Sequence, residues 1–357
     1  MVEKNSRNII ENNLHKNDAL SCISTLLDWL WEISLIGDDG NRYWFGGSPI
    51  IVKLESSDIC MWELVTESID VKQDPTSVYK VANFNGASRK RDSLPGGSLI
   101  ITHTEKEVIV ELGCIRIICY DDQSWNIIVE DEENRFKADI IHKPDCDGPL
   151  WCGQEKSSQR MQKATTHGDN CCGRVEGILT IDGKIINVHG AGIRERYVPI
   201  DSSIEDESGW EDWGWFHFDE VFGSLYSKQF GMKNHAITLV NERLYLPFGN
   251  MKIEHQDWAY MPKYGGFLPT VYKIQIKTRT GTLNMSARAV NAITWNVTGK
   301  YPDNPVATII WDDVEGTFNY KDGTVQELHN GYGNMSIKQR RTYPSLLPPI
   351  GIDPITK

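Results

Sequence analysis

The chain has 357 residues, of which 40% are hydrophobic and 24% charged, and a net charge of -12. That length holds two domains of ordinary size or one large β domain. The acidic balance excludes general nucleic-acid binding, which needs a positive surface against phosphates, and no stretch approaches the roughly 20 apolar residues of a membrane-spanning helix.

In chain order, Ile9, Ile10, Leu14, Leu20, Ile23, Leu26 and Leu27 predict one short N-terminal helix over 9–27. The polar opening lacks the apolar region of a secretory signal. A cytoplasmic location is therefore expected, with the 8 cysteines reduced. After residue 27 the pattern changes to short runs rich in Val, Ile, Trp and Tyr, such as SLIITHT, EVIVEL, IRIICY, SWNIIVE, YKIQIKT and TLNMSARAV. Turn signals separate them: DDGN, IDGK, TRTGT and YKDG. Such runs and turns make hairpins, and the chain reads as antiparallel and all-β. Closing such sheets into barrels removes their exposed edges. The basic triplet Arg89-Lys90-Arg91 falls in a Gly/Ser/Asn-rich stretch and reads as a solvated loop.

Two segments recur. DWLW at 28–31 returns as DWGW at 212–215. VEGILTIDGKIINVHGAG at 175–192 returns as VEGTFNYKDGTVQELHNGYG at 314–333. Each half thus begins with Asp-Trp-x-Trp and ends in a hairpin turning at Asp-Gly, followed by His and Gly-x-Gly. The predicted architecture is two tandem barrels of about eight strands of 5–10 residues each. The tryptophans mark the first strand of each. An extra loop is placed at 142–170. The expected domains are a helical extension (1–24), a first barrel (25–205), a second barrel (206–343) and a tail (344–357).

A tandem pair of lipocalin-like barrels, with an opening Trp-x-Trp strand and a closing hairpin before Gly-x-Gly, resembles the carotenoid hydratase (hydroxyneurosporene synthase)-like proteins. It is also similar to the lipocalin-like fungal Diels–Alderases. The resemblance spans about 25–343. The hydratases carry a segment of the form G-x-G-Y-x-D-H-N after the first hairpin, and its Asp is their proton donor. The matching stretch here is GAGIRERYVP. Gly190 and Gly192 match the glycines and Glu195 stands at the Asp, while Arg196 replaces the His. The resemblance therefore implies a cofactor-independent enzyme of isoprenoid or other secondary metabolism. Its substrate would be a hydrophobic terpenoid, polyene or polyketide, transformed by hydration or dehydration, isomerisation or cyclisation. The alternative is a non-catalytic carrier or sensor of lipophilic molecules.

Comparing the copies isolates the candidate residues. Aligning Gly192 with Gly333 sets IRER (193–196) against NMSI (334–337), so the charges belong to the first copy alone. Glu195 is the candidate acid or base, Arg194 and Arg196 would tune or orient it, and Tyr197 would assist. Strand alternation puts Glu195 and Tyr197 on one face and the arginines on the other. In an apolar cavity Glu195 would become a working acid; paired with an arginine it would be structural. In the second copy, alternation groups Trp213, Trp215, His217 and Asp219 on one face. Aromatic walls with few polar groups suit a lipophilic ligand or a cation, and core packing suits the tryptophans equally. Phe216 and Phe218, on the opposite face, complete the substrate-binding candidates, with His217 and Asp219 as catalytic ones. Trp29 and Trp31, with Ile33 and Leu35, read as core, and Glu32 as solvated or paired. His189 and His329 read as equivalent, each closing its hairpin. His235, His255 and Asp257 have no spacing that assigns a role. Cys171-Cys172 makes a poor metal site, and no nucleotide- or metal-binding motif is present, so no cofactor or metal is expected.

Overall fold

The structure, a computed structural model, describes residues 27–52, 57–68, 87–144, 166–199, 209–228, 233–239, 242–247, 251–261, 266–295 and 306–340. All of their regular structure is β, in two compact units. The helical pattern at 9–26 lies outside these residues, and Leu27 opens the first strand.

The first unit contains β1 (Leu27–Gly37), β2 (Asn41–Val52), β3 (Ser57–Ser68), β4 (Ala87–Pro95), β5 (Ile100–His103), β6 (Glu107–Leu112), β7 (Ile115–Tyr120), β8 (Trp125–Asp131), β9 (Phe136–Pro144), β10 (Thr166–Ile181) and β11 (Lys184–Pro199). They form one antiparallel sheet in the order β4-β3-β2-β1-β11-β10-β9-β8-β7-β6-β5. The second unit contains β12 (Gly209–His217), β13 (Val221–Lys228), β14 (Lys233–Leu239), β15 (Glu242–Pro247), β16 (Met251–Met261), β17 (Gly266–Lys277), β18 (Gly281–Trp295), β19 (Val306–Tyr320) and β20 (Val325–Arg340). Its order is β15-β14-β13-β12-β20-β19-β18-β17-β16. The strand count exceeds the eight per barrel read from the sequence, and β10 and β11 each run 16 residues. The basic triplet 89–91 is strand β4, not loop. Residues 142–144 and 166–170, at the ends of the anticipated loop, are strand as well; 145–165 lie outside the described residues.

Both sheets have the same logic. The closing hairpin returns to pair with the opening strand, β11 on β1 and β20 on β12. The first hairpin turns in two residues, with Asp182 at φ 52 and Gly183 at φ 84, which is the turn that Asp-Gly favours. The glycines beyond the hairpin lie against the opening strand. A Cβ on Gly190 would stand 2.0 Å from the Ser34 carbonyl oxygen, and one on Gly333 2.3 Å from that of Trp215. Only glycine permits this approach, which allows long strands to bend tightly.

Side-chain contacts show that each sheet curls onto itself. In the first, Trp62 on β3 donates its indole N–H to Asp131 on β8 at 3.0 Å and stacks on Phe136 at 4.2 Å. Cys60 Sγ on β3 lies 3.7 Å from Cys114 Sγ in the β6–β7 turn, and Asp58 accepts the Leu99 amide. Trp29, Trp31, Ile33 and Leu35 are fully buried in the resulting interior, as alternation required. Glu32, on the other face, is buried rather than solvated.

Candidate functional site

The register corrects the equivalence of the two tryptophan motifs. Ile33 lies opposite Gly192, and Phe216 lies opposite Gly333. With the glycines aligned, Trp29 therefore corresponds to Asp212 and Trp31 to Gly214. The second motif is displaced by one residue, and a one-residue slip exchanges the faces of a strand. Trp29 and Trp31 face the interior of their barrel. In β12 the interior positions are Asp212, Gly214 and Phe216, continued by Phe218 just beyond the strand, the two phenylalanines being fully buried in the inner cluster. Trp215 and His217 are buried on the opposite face. There Trp215 meets Tyr332 edge-on at 6.1 Å, and His217 stacks on Phe222 at 5.8 Å. Trp213 is half-buried.

The slip turns a carboxylate into the second barrel. Asp212 sits opposite Ile337, an inner-cluster residue. Its Oδ1 lies 3.1 Å from His255 Nε2 on β16, with side-chain exposures of 3% for Asp212 and 13% for His255. β12 and β16 are far apart in strand order, so the curl of the sheet creates this contact. The rings of Trp258 and Tyr272 lie 5.9 and 5.5 Å from the imidazole, and Trp311 lies 4.9 Å from Tyr272. A left-handed residue, Asp257 at φ 51, interrupts strict alternation. His255 and Trp258, three positions apart, can therefore border the same space. A carboxylate only accepts hydrogen bonds, so Nε2 carries the proton and Nδ1 becomes the basic nitrogen of the neutral ring. Asp212 thus holds the ring orientation, with the Trp258 and Tyr272 rings bordering the imidazole.

Of the singled-out residues of the first barrel whose side chains are described, Arg194 is turned inward and Glu195 is not. Arg194 is fully buried, opposite Trp31, with Cζ 4.7 Å from the centroid of the Trp125 ring. Glu195 is half-buried on the reverse face, opposite Leu30. Arg196 and Tyr197 continue β11, opposite Trp29 and Asp28; their side chains lie outside the described residues. Asp219 is exposed in the β12–β13 turn, where it accepts from Asn330 Nδ2 at 2.7 Å. His189 and His329 are not equivalent, since one residue separates His329 from the Gly331–Gly333 pair and none separates His189 from Gly190. His329 instead bonds Glu220 through Nδ1 at 2.6 Å and through its amide at 3.0 Å. This partner raises the imidazole above its usual value. Partial burial works against ionisation of Glu220, but the two bonds outweigh it and lower the carboxyl. Among the described residues no group of three His, Cys, Asp or Glu is placed to hold a metal. A hollow of about 620 Å³, bordered by Lys252, Glu254, Lys273 and Glu315, is open and charged and does not include Asp212 or His255.

Sequence reasoning passed over Asp212 and assigned His255 no role, although both residues were in view. One signal was available: period-two alternation sets Asp212 on the same face as Gly214, Phe216 and Phe218.

Two curled antiparallel sheets, each sealed by a hairpin on its first strand, define a tandem lipocalin-like protein. Solved structures with this fold include a protein of Nitrosomonas europaea described as AttH (12% identity, TM-score 0.61, covering 88% of this chain and 93% of that one). CghA with Sch210972 matches at 11% identity and TM-score 0.59, covering 88% of both chains. Kievitone hydratase from Nectria haematococca matches at 11% and 0.55, covering 87% of this chain and 88% of its own. The tandem-barrel resemblance read from the sequence is therefore borne out as fold. No family model and no curated protein matches the sequence. No helix among the described residues is long and apolar enough to cross a membrane.

Proposed function

We propose that this chain is an enzyme that needs no cofactor and performs acid–base chemistry on a hydrophobic small molecule, with His255 as the proton-transferring group and Asp212 as its partner. The observation that carries this reading is the 3.1 Å contact between them inside an aromatic-walled barrel. One imidazole held by one carboxylate can take a proton from one atom of a substrate and return it to another. That is the requirement shared by hydration or dehydration, isomerisation and proton-triggered cyclisation of a terpenoid, polyene or polyketide. Positioned general acid–base catalysis contributes about 10²–10⁴-fold. A fold neighbour named as a hydratase supports the class.

Elimination of nitrobenzisoxazole tests the pair without knowledge of the natural substrate. A base removes the ring C–H proton, the N–O bond breaks, and a coloured nitrile phenolate forms. The wild type should accelerate the reaction above buffer, His255→Gln should remove the acceleration, and Asp212→Asn should lower it about a hundredfold. Glu195→Gln should leave it unchanged. If Glu195→Gln abolishes turnover while His255→Gln does not, the chemistry belongs to the first barrel. Binding without acceleration would make the chain a carrier of lipophilic molecules.

A further inference from the structure

We propose that Cys60 and Cys114 are a redox-modification site: they form a reversible disulfide, by exchange with a small-molecule disulfide such as oxidised glutathione, that seals the seam of the first barrel. β4 and β5 are the two ends of that sheet, and among the described residues no backbone pairing joins them. The curl rests instead on side chains that reach from β3 toward the other end of the sheet. The two sulfurs, 54 residues apart in sequence, meet there at 3.7 Å, and both are free thiols. Asp58, two positions before Cys60, accepts the Leu99 amide at 2.9 Å across the same seam. The turn that carries Cys114 is held against Cys60. Gly113 is left-handed, at φ 59, and a Cβ there would stand 3.0 Å from Cys60 Sγ. The Cys114 carbonyl accepts the Glu130 amide at 2.9 Å, which ties the turn to β8. An S–S bond is about 2.05 Å long, so bonding asks only for a short approach of two side chains already in contact.

Exposure sets the order of attack. Cys114 is partly exposed, whereas Cys60 is fully buried. The Cys114 thiolate attacks one sulfur of glutathione disulfide and releases one glutathione; the Cys60 thiolate then attacks the Cys114 sulfur and releases the second. One S–S bond breaks in glutathione disulfide and one forms in the protein. The two thiol protons pass to the two departing glutathiones, so the protein is oxidised and glutathione disulfide reduced. No cysteine follows residue 172 in the sequence, so the second barrel has no counterpart. Asp212 and His255 take no part in this exchange.

Incubation of the native full chain with glutathione disulfide, followed by non-reducing peptide mass spectrometry, tests this site. The wild type should yield a peptide pair linked through Cys60 and Cys114, lighter by two hydrogen atoms, which reduced glutathione in excess separates again. Cys60→Ser should stop at a glutathione adduct on Cys114, and Cys114→Ser should leave Cys60 a free thiol. If Cys60→Ser does not fold, as judged by circular dichroism, Cys114→Ser, in the turn, still carries the test. Sealing is read by amide hydrogen exchange: in the oxidised wild type β3 and the β6–β7 turn should exchange about tenfold more slowly, with β12 and β13 unchanged. No linked pair, a link through any other cysteine, a lasting glutathione adduct on wild-type Cys114, capture of Cys60 in Cys114→Ser, or unchanged exchange in the linked protein would overturn the proposal.

Discussion

Where the first barrel turns Trp29 and Arg194 into its interior, the second turns Asp212 and Met335. The surrounding frame is the same in both: an opening strand, a closing hairpin with Asp-Gly at its tip, and glycines pressed against the first strand. The pair of changes places an arginine in the interior of the first barrel and a carboxylate in that of the second. Residues that recur serve the curl of the sheet, and the groups proposed to carry chemistry are among those that do not recur. The tryptophan motif is an exception that strengthens the point. It recurs in letters but not in register, and its rings lie on opposite faces in the two units.

The largest effects should come from the interior rings. Trp31→Ala removes a fully buried indole from the first cluster and should cost about 3–5 kcal/mol in denaturant unfolding. Trp213→Ala, on a half-buried ring off the inner cluster, should cost clearly less. Equal losses would mean that the two motifs occupy the same face after all. Next come the glycines. Gly190→Ala and Gly331→Ala each push a methyl to within 2.0 and 2.2 Å of a neighbouring strand's carbonyl oxygen. Each should destabilise its own unit by about 1–3 kcal/mol, seen as a lowered midpoint. An unshifted midpoint for either would break the shared frame at that strand. Gly183→Ala places a side chain at φ 84, with no atom nearby. Only the backbone penalty remains, about 1 kcal/mol.

The barrel class, the pairing of each closing hairpin with its first strand, and the inward face of β1 were legible because each rests on a local signal. Asp-Gly sets the hairpin, and period-two alternation sets Trp29, Trp31, Ile33 and Leu35 on one side. The extra strands were not legible, since β4 carries Arg89, Lys90 and Arg91 in place of an alternating pattern. The site was harder still. Asp212 and His255 are 43 residues apart and meet only through sheet curvature, which no short window encodes. Taking the two tetrapeptides as equivalent then hid the slip that turns Asp212 inward, which only the register of each opening strand against its hairpin reveals.

The smallest effect distinguishes the surfaces of the two hairpins. His329 bonds Glu220, and the tip-side His189 of the first unit is exposed. Glu220 is lowered from 4.5 and His329 raised from 6.5. Their contribution is therefore complete between those two reference values. It is lost as pH falls through the lowered Glu220 value, and lost again as pH rises through the raised His329 value. Proton NMR titration should find His329 above the ordinary imidazole value, and Glu220→Gln should bring it down. A His329 value unmoved by Glu220→Gln would remove this contact from the account.

The central claim is that the second barrel holds a histidine fixed by a buried carboxylate. Nitrogen-15 NMR of the imidazoles tests it most directly. His255 should show its proton on Nε2, with a downfield resonance that disappears in Asp212→Asn while the folded spectrum persists. A His255 protonated on Nδ1 alone, or a signal indifferent to Asp212→Asn, would contradict the account.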